Sequence, residues 1–185
     1  MAALEDLLRH FTRVGHEVFI TGANLHIVNG LGQTACGPVD EPIPDCPNGL
    51  GNLLVGYNEP REAENIRTGS HNVVVGQFHN FSRFGGLVIG ERNEISGNFA
   101  SVSGGAGNIA SGALATVSGG VDNRADCGGA SVSGGEGNTA SGLRAVISGG
   151  ANNTASGNFS AVSGGINQTA AGDFDWVAGS LFEDE

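Results

Sequence analysis

Residues 96–170 are one 15-residue line written five times: SGNFASVSGGAGNIA, SGALATVSGGVDNRA, DCGGASVSGGEGNTA, SGLRAVISGGANNTA and SGNFSAVSGGINQTA. A sixth, partial copy, AGDFDWVAGS, follows from Ala171. The period never slips, and short-period self-similarity of this kind is the signature of a solenoid or array. A flexible Gly/Ser linker or silk-like tract is the plain alternative, but a linker has no reason to hold particular residues at particular positions.

Stacking the copies exposes the positions that are held. The seventh column reads Val102, Val117, Val132, Ile147, Val162 and Val177, a β-branched residue every time. Column nine is glycine in all six lines, and column fifteen is alanine from Ala110 to Ala170. Column thirteen reads Asn108, Asn123, Asn138, Asn153 and Gln168, with Asn93 at the matching place before the array. Each copy therefore carries an extended piece around A-S-V-S, a glycine corner, a short piece around N-T-A and a second corner at S-G. β-branched residues favour strands, and paired glycines permit the positive φ of tight corners. A helix is excluded, because no apolar 3.6-residue period survives glycines this dense. The expected fold is an all-β parallel β-solenoid with 15-residue coils. Coils about 4.8 Å apart would lay identical residues over one another. The valine column then forms a narrow core. The asparagine column, Asn93 to Gln168, forms a side-chain ladder rather than an ion site.

A core of Val, Ala and Ser is thin. Aromatic residues make up 6% of the chain, with one Trp and one Tyr among 185 residues and 33 glycines. Solenoids rely on contacts between neighbouring coils, and so thin a core favours self-association. The net charge of −11, with no lysine and scattered arginines, argues against nucleic acid as a partner.

In chain order, residues 1–14 read as a short amphipathic helix. Leu4, Leu7, Phe11 and Val14 keep the a/d spacing of a coiled coil, suited to a trimer stem; packing on the chain's own domain is the alternative. No signal peptide or membrane span is recognisable, so the chain is expected to be a piece of a longer fibre or to be exported by another route. Residues 15–48 form an irregular β and Pro-rich segment. Glu17–Thr21 and Leu25–Val28 alternate as a hairpin or first coil, and His16 and His26 lack the further ligands of a metal site. Cys36 and Cys46 bracket a stretch with three prolines and could close a disulfide in an exported protein, while Cys127 stands alone in a column of glycines as a tolerated small residue. Residues 49–95 are irregular coils, NLLVGYN, HNVVVGQ and GLVIGER, interrupted by an insertion at Glu59–Asn65 that should bulge outward. Residues 96–185 hold the regular array and a C-terminal cap, where Phe174, Trp176 and Phe182 would cover the open end; the Trp could instead stack a sugar.

The segments V-V-V-G, L-V-I-G and S-V-S-G-G, each followed by x-x-N-x-A-x-G, resemble the head domains of trimeric autotransporter adhesins over about Leu53–Ser180. That resemblance implies a left-handed parallel β-roll of three associated chains in an extracellular fibre, often above a coiled-coil stalk. The copies here are one residue longer, carry Ser-Gly where the family has Ala-Ile, and place Asn where the family has Ser. Tail fibres of phages and phage-like injection machines resemble the same architecture.

No catalytic order of Ser, His and Asp, paired acids or phosphate loop is legible, and G-G-x-G here lacks its Rossmann context and a lysine. Calcium-binding nonapeptide rolls need an Asp in every unit, and only Asp122 comes close. The expectation is therefore a non-enzymatic, cofactor-free structural and adhesive module at a cell surface or fibre tip, binding a surface glycan or protein multivalently and not inserting in a membrane. Tyr57, Arg61 and Arg67 in the bulge, with Phe174 and Trp176, are the contact residues left by elimination. Two rivals stand beside it. One is an ice- or crystal-surface binder using the Ser103, Ser118, Ser133, Ser148, Ser163 column, although the threonine rank is broken by Ile109 and Arg124. The other is a passive spacer.

Overall fold

The structure is a computed structural model and describes residues 8–35 and 46–179. From Leu53 onward the chain winds as a parallel β-solenoid with almost no helix. One face is a nine-stranded parallel sheet that begins with β3 (Leu53–Val55) and β4 (Val73–Gln77) and ends with the pair Trp176–Val177. A second face is a seven-stranded parallel sheet that starts with β5 (Asn80–Phe81) and ends with Thr169–Ala170. Between them runs a single-residue ladder, Glu91, Ala106, Val121, Glu136, Ala151 and Ile166.

Register follows the sequence columns. Val117 pairs with Val102 and Val132, and Ala125 with Ala110 and Ala140. Columns five, seven, thirteen and fifteen point inward. Val102, Val117, Val132, Ile147 and Val162 are fully buried, as are Ala100, Ala115, Ala130 and Ala145. Val177, in the last coil, is only half-buried. Alternation on a strand only two residues long turns the first outward and the second inward, so each copy needs just one apolar strand residue per sheet.

The early coils are shorter, and the structure locates the difference. Val88 of β6 (Leu87–Glu91) pairs with Val102, one position short of a full repeat, whereas Glu91 of the same strand bridges Ala106, a full repeat on. The added residue therefore lies in the Ser-Gly-Gly corner. Its effect is local: β4 and β6 run straight through Gly76 and Gly90 for five residues, and the regular coils break after two.

That corner contains two different glycines. Gly120 has φ +86, and a Cβ built there would stand 2.1 Å from the Gly135 carbonyl oxygen of the next coil. Gly119 has room for a Cβ on every side. The opposite corner is turned by residues that are mostly not glycine. Phe99, Leu114, Arg144, Phe159 and Phe174 all have φ between 53° and 63°. Each is held by its N–H donating to a carbonyl of the preceding coil, as Leu114 does to Asn98 at 2.9 Å.

Three expectations change. The helix over 1–14 does not reach Phe11 and Val14, which lie in β1 (Phe11–Val14), paired antiparallel with β2 (Glu17–Ile20). Phe-Thr-Arg-Val suits a strand, and the two-residue turn Gly15–His16, with Gly15 at φ +60, closes the hairpin. Leu4 and Leu7 lie outside the described residues. The second alternating run, Leu25–Val28, forms no strand; its end lies instead against Gly51, with the Asn29 N–H donating to His71 Nε2. Finally, Phe174 and Trp176 do not cap the core. They occupy outward columns, 75% and 68% exposed, and Phe182 lies outside the described residues. The alanine column gives way to Ser160 and then, in the last coil, to Asp175, which is exposed and whose carboxylate accepts the Gly172 N–H at 2.6 Å. A charge at a sheet edge discourages further strand addition.

Candidate functional site

The buried asparagines are the most highly organised polar feature. Asn123 is fully buried, and its Nδ2 donates to Gly119 O at 3.1 Å in its own coil and to Gly135 O at 2.8 Å in the next. Its Oδ1 accepts the Asn138 backbone N–H at 3.0 Å. One side chain thus satisfies the Gly119 carbonyl and the Asn138 amide that the ladders leave unpaired, and adds a second bond to the Gly135 carbonyl, which also accepts the Val121 N–H at 3.0 Å. Asn is the shortest side chain carrying both an acceptor and two donors. Asn93, Asn108, Asn138 and Asn153 repeat the pattern. Gln168 accepts no further coil: its N–H meets Asn153 Oδ1 and its Nε2 returns to Ile166 O. The ladder therefore runs mainly from side chain to backbone.

At the other end the column begins with a histidine that sequence reading passed over. His79 is 1% exposed and stands one coil before Asn93. Its Nδ1 accepts the Asn93 N–H at 3.2 Å, as an Asn Oδ1 would, and its Nε2 meets Val75 O at 3.0 Å, as an Asn Nδ2 would. A neutral ring protonated on Nε2 makes both bonds. Burial holds the pKa of His79 below the usual histidine value; the bond from the ring to Val75 O opposes this and the nearby Arg61 guanidinium adds to it. The signal was its position, one of the shorter coils ahead of Asn93.

The insertion is less free than a bulge. Arg61 folds back so that Nε donates to Phe78 O at 2.7 Å and its Nη2 to Arg92 O and to Asn93 O, with Glu94 3.6 Å away. Arg67 donates to Asn58 O. Both arginines are spent on holding the loop, and Tyr57, 93% exposed, is the side chain of that group left open to a partner. At the C-terminal end Phe174 stacks on Phe159 with centroids 5.3 Å apart, and Trp176 Nε1 donates to Ser163 Oγ at 2.8 Å. These two groups of contact residues lie in the first and last coils and are not brought together.

Cys46 is disulfide-bonded and Cys127 is free. Cys36 lies outside the described residues. Among the described residues no group of three or more His, Cys, Asp or Glu is gathered to hold a metal ion, and no helix is long and apolar enough to cross a membrane. Comparison with family models, with curated proteins and with solved structures finds no match for this chain.

Proposed function

We propose that this chain is a structural and adhesive fibre module that works as a homotrimer outside the cell, without catalysis or cofactor. The observation that carries the reading is the in-register array itself. Equivalent side chains fall in straight outward columns, and one column sets Phe99, Leu114, Phe159 and Phe174, each 42% to 75% exposed, along a single corner, with Gly129 and Arg144 between the two pairs. Exposed apolar pairs near both ends of a thin-cored rod are a surface for association with like chains. Multivalent display would then strengthen weak contacts through Tyr57 and Trp176.

Light scattering tests the association. A mass three times that of the 18.6 kDa protomer, persisting on dilution, is the expected result. Leu114→Asp combined with Phe159→Asp should reduce it to one protomer while leaving the circular dichroism unchanged. A wild-type monomer would overturn the trimer. With the trimer in hand, glycan and cell-surface screens comparing wild type with Tyr57→Ala and Trp176→Ala test adhesion.

A second reading has one observation in its favour. Ser103, Ser118, Ser133, Ser148 and Ser163 are all exposed in one unbroken hydroxyl column. Thermal hysteresis in wild type, abolished by alanine at these positions, would replace adhesion with binding to an ordered crystal surface.

A further inference from the structure

The solenoid begins on an open sheet edge. β3 pairs with β4 on one side, and among the described residues no strand pairs with its other side. Leu54 pairs with Val74 in the column that continues through Val88 and Val102, and those three are buried. Leu54 belongs to the same inward column yet is 43% exposed. The leader reaches the first coil at its corner, where the Asn29 N–H donates to His71 Nε2, and leaves all three residues of β3 exposed.

Ladder geometry shows which backbone groups are open. The Leu53 N–H donates to Asn72 O at 2.9 Å. Along a strand in a parallel sheet, successive residues send their N–H and C=O to opposite sides, so Leu53 and Val55 face β4 and Leu54 presents both groups to the open side. A residue with both groups free can exchange two hydrogen bonds with the same residue of a second copy across a two-fold axis. Exposed sheet edges are ordinarily blunted by charge or proline. The C-terminal edge follows that rule, with Asp173 and Asp175 exposed in the last coil. Residues 48–58, around the N-terminal edge, carry neither a charge nor a proline. In a chain of net charge −11, this uncharged stretch is where two copies meet with little repulsion.

We propose that β3 pairs antiparallel with β3 of a second copy, joining two solenoids at their N-terminal ends. Leu54 lies at the two-fold axis, its N–H and C=O bonded to those of its counterpart, and the two Leu54 side chains carry the core column across the joint. Leu53 then stands opposite Val55 of the second copy on the outer face, an apolar cross-strand pair. Head-to-tail stacking would instead bring the charged Asp175 end onto this edge. A three-residue strand makes a small joint, so it forms at high concentration and opens on dilution. The joint is independent of the side-by-side association above, since it doubles whatever assembly remains at dilution.

The test is sedimentation equilibrium of the full-length protein from micromolar to millimolar concentration. The expected result is a mass that doubles as concentration rises, while Leu54→Lys holds the lower mass throughout and keeps the wild-type circular dichroism. Leu54→Cys in a Cys127→Ser background should cross-link to itself under copper phenanthroline oxidation, giving one new disulfide per pair of chains. That cross-link supports the joint even if Leu54→Lys misfolds. A wild-type mass that stays constant, or one that doubles equally in Leu54→Lys, would overturn the proposal. So would cross-linking confined to mixtures of Leu54→Cys with Val177→Cys, which assigns the edge to head-to-tail stacking. A thiol at position 54 that neither cross-links nor reacts with a maleimide would assign the edge to a segment of the same chain, and overturns it equally.

Discussion

At the scale of single residues, the polar groups inside the solenoid determine more than the apolar ones, because the corner carbonyls of the regular coils depend on asparagines. Asn123→Ala removes one acceptor and two donations at once, leaving the Asn138 N–H and the Gly119 carbonyl unmet and the Gly135 carbonyl with the Val121 N–H alone. At about 1–3 kcal/mol for each buried group left unpaired, a loss of roughly 3 kcal/mol or more is expected in urea unfolding. Gln168→Ala, at the exposed end of the same column, should cost under about 0.5 kcal/mol. Equal costs at the two positions would mean that the ladder contributes little. His79 adds a pH dependence with a definite sign. Its folded pKa lies below the ordinary value of about 6.5, so the unfolded chain takes up the proton first. Stability from this residue is complete above about pH 6.5, declines as pH falls, and reaches its floor below the folded pKa. Protonation of Nδ1 also removes the acceptor for the Asn93 N–H. In His79→Asn, which restores the side chain used by the following coils, the drop in melting temperature between pH 7 and pH 5 should shrink relative to wild type. An undiminished drop would assign the acid sensitivity to other groups.

At the scale of the coil, the Ser-Gly-Gly corner separates two glycines that the repeat makes look equivalent. Gly119→Ala meets open space and reduces the freedom of the unfolded chain, so it should be neutral or stabilise by about 0.5 kcal/mol. Gly120→Ala combines a positive φ with a Cβ 2.1 Å from the next coil's carbonyl oxygen, and should destabilise by roughly 3 kcal/mol. Thermal melts of the two variants side by side decide it, and similar melting temperatures would contradict the assigned coil spacing. The pair also marks what could be read from sequence. Columns, strands and the inward Val and Ala positions were legible, because a period of fixed length places identical residues over one another. Which of two adjacent glycines is indispensable depends on how closely one coil's backbone approaches the next, and repetition preserves the whole corner without distinguishing its parts. The same limit explains the leader. Leu4, Leu7, Phe11 and Val14 fit a heptad by spacing, yet Phe11 and Val14 pair with β2 in a hairpin that the spacing of apolar residues does not reveal. Arg61 and Arg67 looked available for a partner because sequence does not show that backbone carbonyls already hold them. His79 was missed for a related reason, since its role depends on a partner in the next coil.

At the scale of the molecule, stability should accumulate coil by coil. Each regular coil meets only its two neighbours, through one paired strand in each sheet, one bridge and one asparagine, so a solenoid's free energy is close to a sum of coil terms and interface terms. Lengthening the array by a whole period adds one of each. Inserting a second copy of residues 111–125 after Ala125 keeps every column in register, placing another Val in the core and another Asn in the ladder. Inserting only 111–124 shifts all later coils by one position against those before it. Alternation would then bring outward residues over Val and Ala positions, and a buried asparagine would face a neighbour that offers it no amide. The whole-period insertion should therefore raise the urea midpoint and steepen the transition, since more surface is exposed on unfolding. The shorter insertion should lower the midpoint below wild type or split the transition in two at the mismatch. The early coils make this a demanding comparison, because there the molecule does pass from the shorter coil to the full period, between Val88–Val102 and Glu91–Ala106. It does so at the outward-facing corner, where the addition to Ser-Gly-Gly shifts no inward column. If the two insertions melt alike, the columns are not what hold the rod together, and a cooperative contact spanning several coils would have to replace the nearest-neighbour account.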